Sequence, residues 1–100
     1  MAHSSKIAAF LIESRIADAA GGDVRALFDL GVAYSTGSGG TPIDLVEAHK
    51  WFNLAALNGS GEAQLCRADI AEDMSAREIA EAQRQARAWL ADLNPTRHAA

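Results

Sequence analysis

Few side chains in this sequence are suited to nucleophilic, acid–base or metal chemistry: one cysteine, Cys66, and three histidines, His3, His49 and His98, in 100 residues. His3 and His98 stand beside the two ends, so Cys66 and His49 form the one thiol–imidazole combination in the body of the chain. A working pair also needs an acid to orient the imidazole and donors for a developing oxyanion, and no residue pattern supplies either. Cys66 falls on an apolar helical face, where a thiol ordinarily acts as a small hydrophobe. His49-Lys50 on a helix has the residue types of a phosphotransfer histidine but lacks the adjoining glycine that would let a receiver approach. A lone structured histidine with no Cys, His or acid at ligand spacing builds no metal site. The segment Gly37-Ser38-Gly39-Gly40-Thr41-Pro42 opens a helix and could offer backbone N–H groups to an anion. It has no Gly-Lys-Ser/Thr ending and follows no strand, so it reads as a connector. The expectation is a non-enzyme with no catalytic residue, metal or cofactor.

Charge and composition narrow the binding chemistry as well. Nine basic against thirteen acidic residues give a net charge of −4, which leaves no electrostatic footprint for nucleic acid or an anionic membrane. Glu62, Asp69, Glu72 and Asp73 read as the solvated face of one helix, and Trp51 and Trp89 as core residues on apolar stripes. Apolar residues make up 49% and charged residues 22%, the mixture of a globular chain rather than a disordered one, and the length suits a single domain. A single cysteine excludes an internal disulfide framework and fits a reducing compartment, so a cytoplasmic location is expected. The opening MAHSSKIAAFLIESR carries a short apolar run broken by Glu13, which is neither a signal peptide nor a membrane span.

The elements that position these residues are helical. Twenty-two alanines against three valines favour helix over sheet, and no window alternates with period two. A first helix is expected from Ser5 to Ala20, with Ile7, Phe10, Leu11 and Ile16 near helical spacing and Gly21-Gly22 as its stop. Asp23 caps a second helix running to Ser35. Thr41-Pro42 reads as the cap and first residue of a third, which ends at Asn58-Gly59. Ser60 caps a fourth, reaching Asp73, and Ser75-Ala76-Arg77-Glu78 is a capping box for the fifth. Ile79, Ala82, Ala86, Trp89, Leu90 and Leu93 keep one apolar stripe until Pro95. Residues 1–4 are expected to be a flexible start, 5–93 one helical domain and 94–100 a flexible tail.

Internal repetition sets the architecture. Ala19-to-Ala26 recurs as Ala56-to-Ala63, and Leu45-Val46-Glu47-Ala48 recurs as Ile79-Ala80-Glu81-Ala82, three residues closer because the second connector is shorter and has lost its glycines. The chain is a lone helix, one full helix–loop–helix unit and one shortened unit. Short loops make consecutive helices antiparallel neighbours. Gly31, Ala48, Ala55, Ala56 and Ala63 are small residues at close helix approaches, and Leu27, Tyr34, Trp51 and Phe52 fill the volume between them.

The order Ala26-x-x-x-Leu30-Gly31-x-x-Tyr34-x-x-Gly37-x-Gly39, then Asp44-x-x-x-Ala48-x-x-Trp51-Phe52-x-x-Ala55-Ala56-x-x-Gly59-x-x-x-Ala63, closely resembles the Sel-like repeat, a relative of the tetratricopeptide repeat. The second unit departs from the pattern, with Arg67 and Ala68 where Leu30 and Gly31 recur, and reads as a cap; the last helix resembles the closing helix of short bacterial members. The resemblance implies an all-α fold, an α/α solenoid of about five antiparallel helices in tetratricopeptide-like hairpins. It also implies an adaptor that binds a protein or peptide on its concave face. Laid on the related hairpin, Arg25, Phe28, Asp29 and Val32 face the concave side of the first unit, and Glu62, Leu65, Cys66 and Asp69 follow on the second. Arg25 and Asp29, with the acid C-terminal to the base, have the poorer orientation for a helix-stabilising pair, which leaves both free for a partner. The chain is expected to be a monomer or a weak homo-oligomer. The alternatives are a small phosphotransfer or enzymatic domain using His49, or a purely structural homo-oligomer.

Overall fold

The computed structural model describes residues 2–93, with side chains from Lys6 onward. Five helices follow one another: α1 (Ala2–Ala20), α2 (Val24–Thr36), α3 (Leu45–Leu57), α4 (Gly61–Ala71) and α5 (Ala76–Leu93), with a single 3-10 turn, Ser38–Gly40, between α2 and α3. No strand occurs among the described residues. The backbone of α1 begins three residues before the expected Ser5; the expected tail, with His98, lies outside the described residues, as does the side chain of His3.

The helix starts follow local chemistry. Asp23 Oδ1 accepts from the Arg25 and Ala26 amides at 2.9 and 3.2 Å, and Ser60 Oγ accepts from the Ala63 amide at 3.1 Å. Ser75 and Glu78 form a reciprocal capping box: Ser75 Oγ accepts from the Glu78 amide at 3.1 Å, and Glu78 Oε1 accepts from the Ser75 amide at 2.8 Å. Helix α3 departs from the reading that placed Thr41 at its cap and Pro42 in its first turn. Thr41 has the extended backbone of a cap, φ −71° and ψ 130°, but the chain stays extended after it, with Asp44 at φ −148° and ψ 101°, so no helix begins at Pro42. Asp44 takes over the cap, with its Oδ1 accepting from the Glu47 amide at 3.1 Å, while its own N–H donates to the Tyr34 carbonyl at 2.9 Å and holds the loop on α2. Gly37, at φ 73°, ends α2 in the left-handed conformation and donates its N–H to the Ala33 carbonyl.

Helix α3 is the hub of the packing. It lies against α2, α4 and α5, whereas α1 packs on α2 and on the 3-10 turn. Leu27 and Leu30 of α2 meet Trp51, Phe52 and Leu54 of α3, all buried, and each such side chain contributes roughly 1.5–3 kcal/mol of transfer free energy. Gly31 makes the closest approach possible: a Cβ built there would overlap the Phe52 ring. Ala48, Ala55 and Ala63 are fully buried as expected, whereas Ala56 is half-buried at the edge of the cluster. Helix α5 joins through Trp89, whose ring stands edge-on to Trp51 with centroids 4.9 Å apart. Of the apolar residues of α1, Ile12, Ile16 and Ala19 reach the core, and Ile7, Phe10 and Leu11 do not. Leu90 and Leu93, at the far end of the α5 stripe, stay partly open to solvent.

Candidate partner-binding face

The expected concave residues lie on α2 and α4, two helices that touch each other as well as sharing α3. On α2, Arg25 is exposed and its Nε lies 3.2 Å from Asp29 Oδ1, while its guanidinium carbon stands 5.6 Å from the Phe28 ring centroid. The two charges are therefore engaged with one another rather than free. The orientation rule that suggested otherwise is worth only tenths of a kcal/mol and does not forbid the pair. Because Arg25 is exposed and Asp29 only half-buried, the pair adds little stability and opens at little cost to a competing charge. Phe28 is half-buried, its ring 5.7 Å from that of Phe52, so it belongs as much to the core as to the surface. Val32 is likewise half-buried, and its carbonyl accepts from the Ser35 and Thr36 hydroxyls at 3.2 and 2.8 Å.

On α4 the balance shifts toward solvent. Ala63 is its one buried residue among eleven. Glu62, Leu65 and Asp69 are exposed, and Leu65, at 73%, is the most exposed large apolar side chain of the described residues. Arg67 turns back to donate from Nη1 to Asn53 Oδ1 at 2.5 Å, tying α4 to α3. Cys66 is half-buried and packed on the core. Burial, and then the carboxylates of Glu62 and Asp69, push its thiol pKa up, which is the direction that suppresses a nucleophilic thiolate.

His49 lies within the fold at 4% exposure, and no group among the described residues hydrogen-bonds its Nδ1. Burial first, and the Arg67 cation second, lower its pKa and hold the imidazole neutral. That placement withdraws it from a phosphate donor, which would need open access to the ring. Among the described residues, no group of three or more His, Cys, Asp or Glu side chains could hold a metal ion. One small polar network escaped sequence reasoning. Glu47 accepts from Lys50 Nζ, 2.7 Å from its Oε2, and from Trp51 Nε1 at 3.1 Å, and the Lys50 ammonium lies 4.6 Å from the Trp51 ring centroid. The i, i+3, i+4 spacing of these three residues was the available signal. A shallow cleft of about 400 Å³ also opens between α1 and the loop before α3, walled by Ile12, Tyr34 and Pro42 with no charged side chain.

The Sel1 repeat family model matches residues 24–60, the stretch from the start of α2 to the cap of α4. The chain carries a Sel1 repeat. No curated protein and no solved structure matches the chain. Sel1 repeats are helical solenoid units that serve in general as protein–protein interaction modules, and the helical hairpin of α2 and α3 shares that architecture. No helix of the described residues is long and apolar enough to cross a membrane.

Proposed function

We propose that this Sel1-repeat domain is an adaptor that docks a protein or peptide segment on the face shared by α2 and α4. The observation that carries the reading is the match of residues 24–60 to the Sel1 repeat, a unit that generally serves protein–protein contact, and Leu65, a large apolar side chain left open among acidic neighbours, is the proposed anchor on α4. Glu62 and Asp69 lie one turn to either side of Leu65, and Asp29 stands on the facing helix, so the surface suits an apolar side chain flanked by lysine or arginine. Phe28 and Val32 offer a partly open apolar floor, and Arg25 supplies a cation able to exchange Asp29 for a carboxylate of the partner.

Selection of displayed random peptides on the immobilised domain tests this. Selected sequences should pair an apolar residue with basic neighbours. Leu65→Asp and Glu62→Lys should each lower their affinity at least tenfold with unchanged helical content, since Leu65 stands where interface energy concentrates. Peptides that bind both variants as well as the parent would place the docking surface elsewhere.

A further inference from the structure

The outward side of α1 carries an apolar edge that no other described element covers. Ile7 is 58% exposed, Phe10 67% and Leu11 40%. At i, i+3 and i+4 they share one side of the helix, away from Ala8, Ile12, Ile16 and Ala19 on the inner side. Single exposed apolar residues need no explanation, but three at helical spacing make a continuous surface. The repeat register sharpens the point. In the displacement that carries Ala19 onto Ala56, Ile7 falls on Asp44, the cap of α3, Phe10 on Glu47 in its first turn and Leu11 on the buried Ala48, so acids stand at the first two equivalent positions. Packing of the repeat does not demand apolar residues there.

We propose that α1 is a self-association surface: the Ile7–Phe10 edge of one copy packs antiparallel against the same edge of a second copy, with Lys6 opposite the partner's Glu13. Positions 7, 10, 14 and 17 (Ile, Phe, Ser, Ala) alternate three- and four-residue steps, the spacing of a coiled-coil seam. Lys6 and Glu13 flank that seam on the same side, each directly before a seam position. When Ile7 is layered on the partner's Phe10, the antiparallel geometry brings Lys6 and the partner's Glu13 together, and the two-fold axis repeats the pair. A parallel arrangement would instead set Glu13 beside the partner's Asp18, two like charges, on both flanks. Neither Lys6 nor Glu13 has an ion-pair partner among the described residues. Three side chains from each copy fall well short of the ~800 Å² per partner of a stable complex, so the dimer is weak and concentration-dependent.

Sedimentation equilibrium of the whole chain, from about 20 μM to about 1 mM, reads this directly. The parent should pass from monomer toward dimer over that range. Phe10→Asp and Ile7→Lys should stay monomeric throughout with unchanged helical content and melting temperature, because both side chains are already in solvent. Lys6→Glu and Glu13→Lys should each weaken association about three- to tenfold, and an equimolar mixture of the two should recover it, since each copy then complements the other. A parent that remains monomeric at the highest concentration overturns the proposal. So does a dimer that survives both seam variants, or a mixture no stronger than its components. None of these residues lies on α2 or α4, so failure here leaves the peptide-docking reading to its own test.

Discussion

The hairpin of α2 and α3 and the pair α4 and α5 occupy matching places in the repeat, yet they are held in different ways. In the first, Leu30 and Phe52 are fully buried and Gly31 lets the Phe52 ring lie against the α2 backbone. In the second, the corresponding positions are Arg67, Ala86 and Ala68, so neither the aromatic wedge nor the glycine that receives it is present. The consequence is visible in the packing: α4 and α5 each lean on α3 rather than on one another. A repeat hairpin closes on itself through one large side chain entering one missing Cβ. Where that pair is lost, the helix is carried by its neighbour and its outer surface stays open to solvent.

Substitutions can break this contrast. Phe52→Ala should cost about 3–5 kcal/mol, the range for emptying a buried aromatic site, whereas Ala86→Gly at the matching place should cost about 1 kcal/mol, mostly helix propensity. Chemical denaturation of the two variants separates these values, and equal losses would mean that both hairpins depend on the same packing. Next in size, Gly31→Ala should destabilise by about 1–3 kcal/mol through overlap with Phe52, while Ala68→Gly in the exposed equivalent stays within about 1 kcal/mol. A Gly31→Ala variant as stable as the parent would show that Phe52 has room to move and that the wedge is not tight.

Those two positions also show how far the sequence could be read. Gly31, Leu30, Trp51 and Phe52 stand at spacings that announce a hairpin, and the caps at Asp23, Ser60 and Ser75 are local hydrogen-bond chemistry that short-range pattern carries well. What pattern did not show was that α3 is capped by Asp44 rather than Thr41, a start fixed by the contact from the Asp44 N–H back to the Tyr34 carbonyl. The division of α1 into an inner and an outer edge was equally hidden, because both edges bear apolar residues. Ala56 was expected at a tight contact and sits at the rim, since small size alone does not say which side of a helix is covered. At the proposed docking face, residue placement on α2 and α4 followed the repeat register, but the mutual engagement of Arg25 and Asp29 depended on rotamers that spacing does not specify.

The hub helix offers a pH-dependent probe of the same contrast. The pKa of His49 is lowered from 6.5 by burial and then by Arg67, so the unfolded chain takes up the proton first as pH falls. The stability that depends on the neutral imidazole is complete above 6.5 and is lost as pH drops from there toward the folded-state value. Melting temperatures of the parent should therefore fall more steeply than those of His49→Gln between about pH 7.5 and about pH 5. Parallel slopes would remove His49 from the account. Smaller still, Leu65→Asp on the open helix should change stability by no more than about 0.5 kcal/mol in a thermal melt, as expected of a surface side chain.

Amide hydrogen exchange followed residue by residue tests the central contrast most directly. Amides of α2 and α3 around Leu30 and Phe52 should exchange only through global unfolding, while those of α4 between Gln64 and Ile70 should exchange at least about tenfold faster through local opening. Amides in α4 as slow as those around Phe52 would mean that the second unit is held as firmly as the first, and would contradict the account.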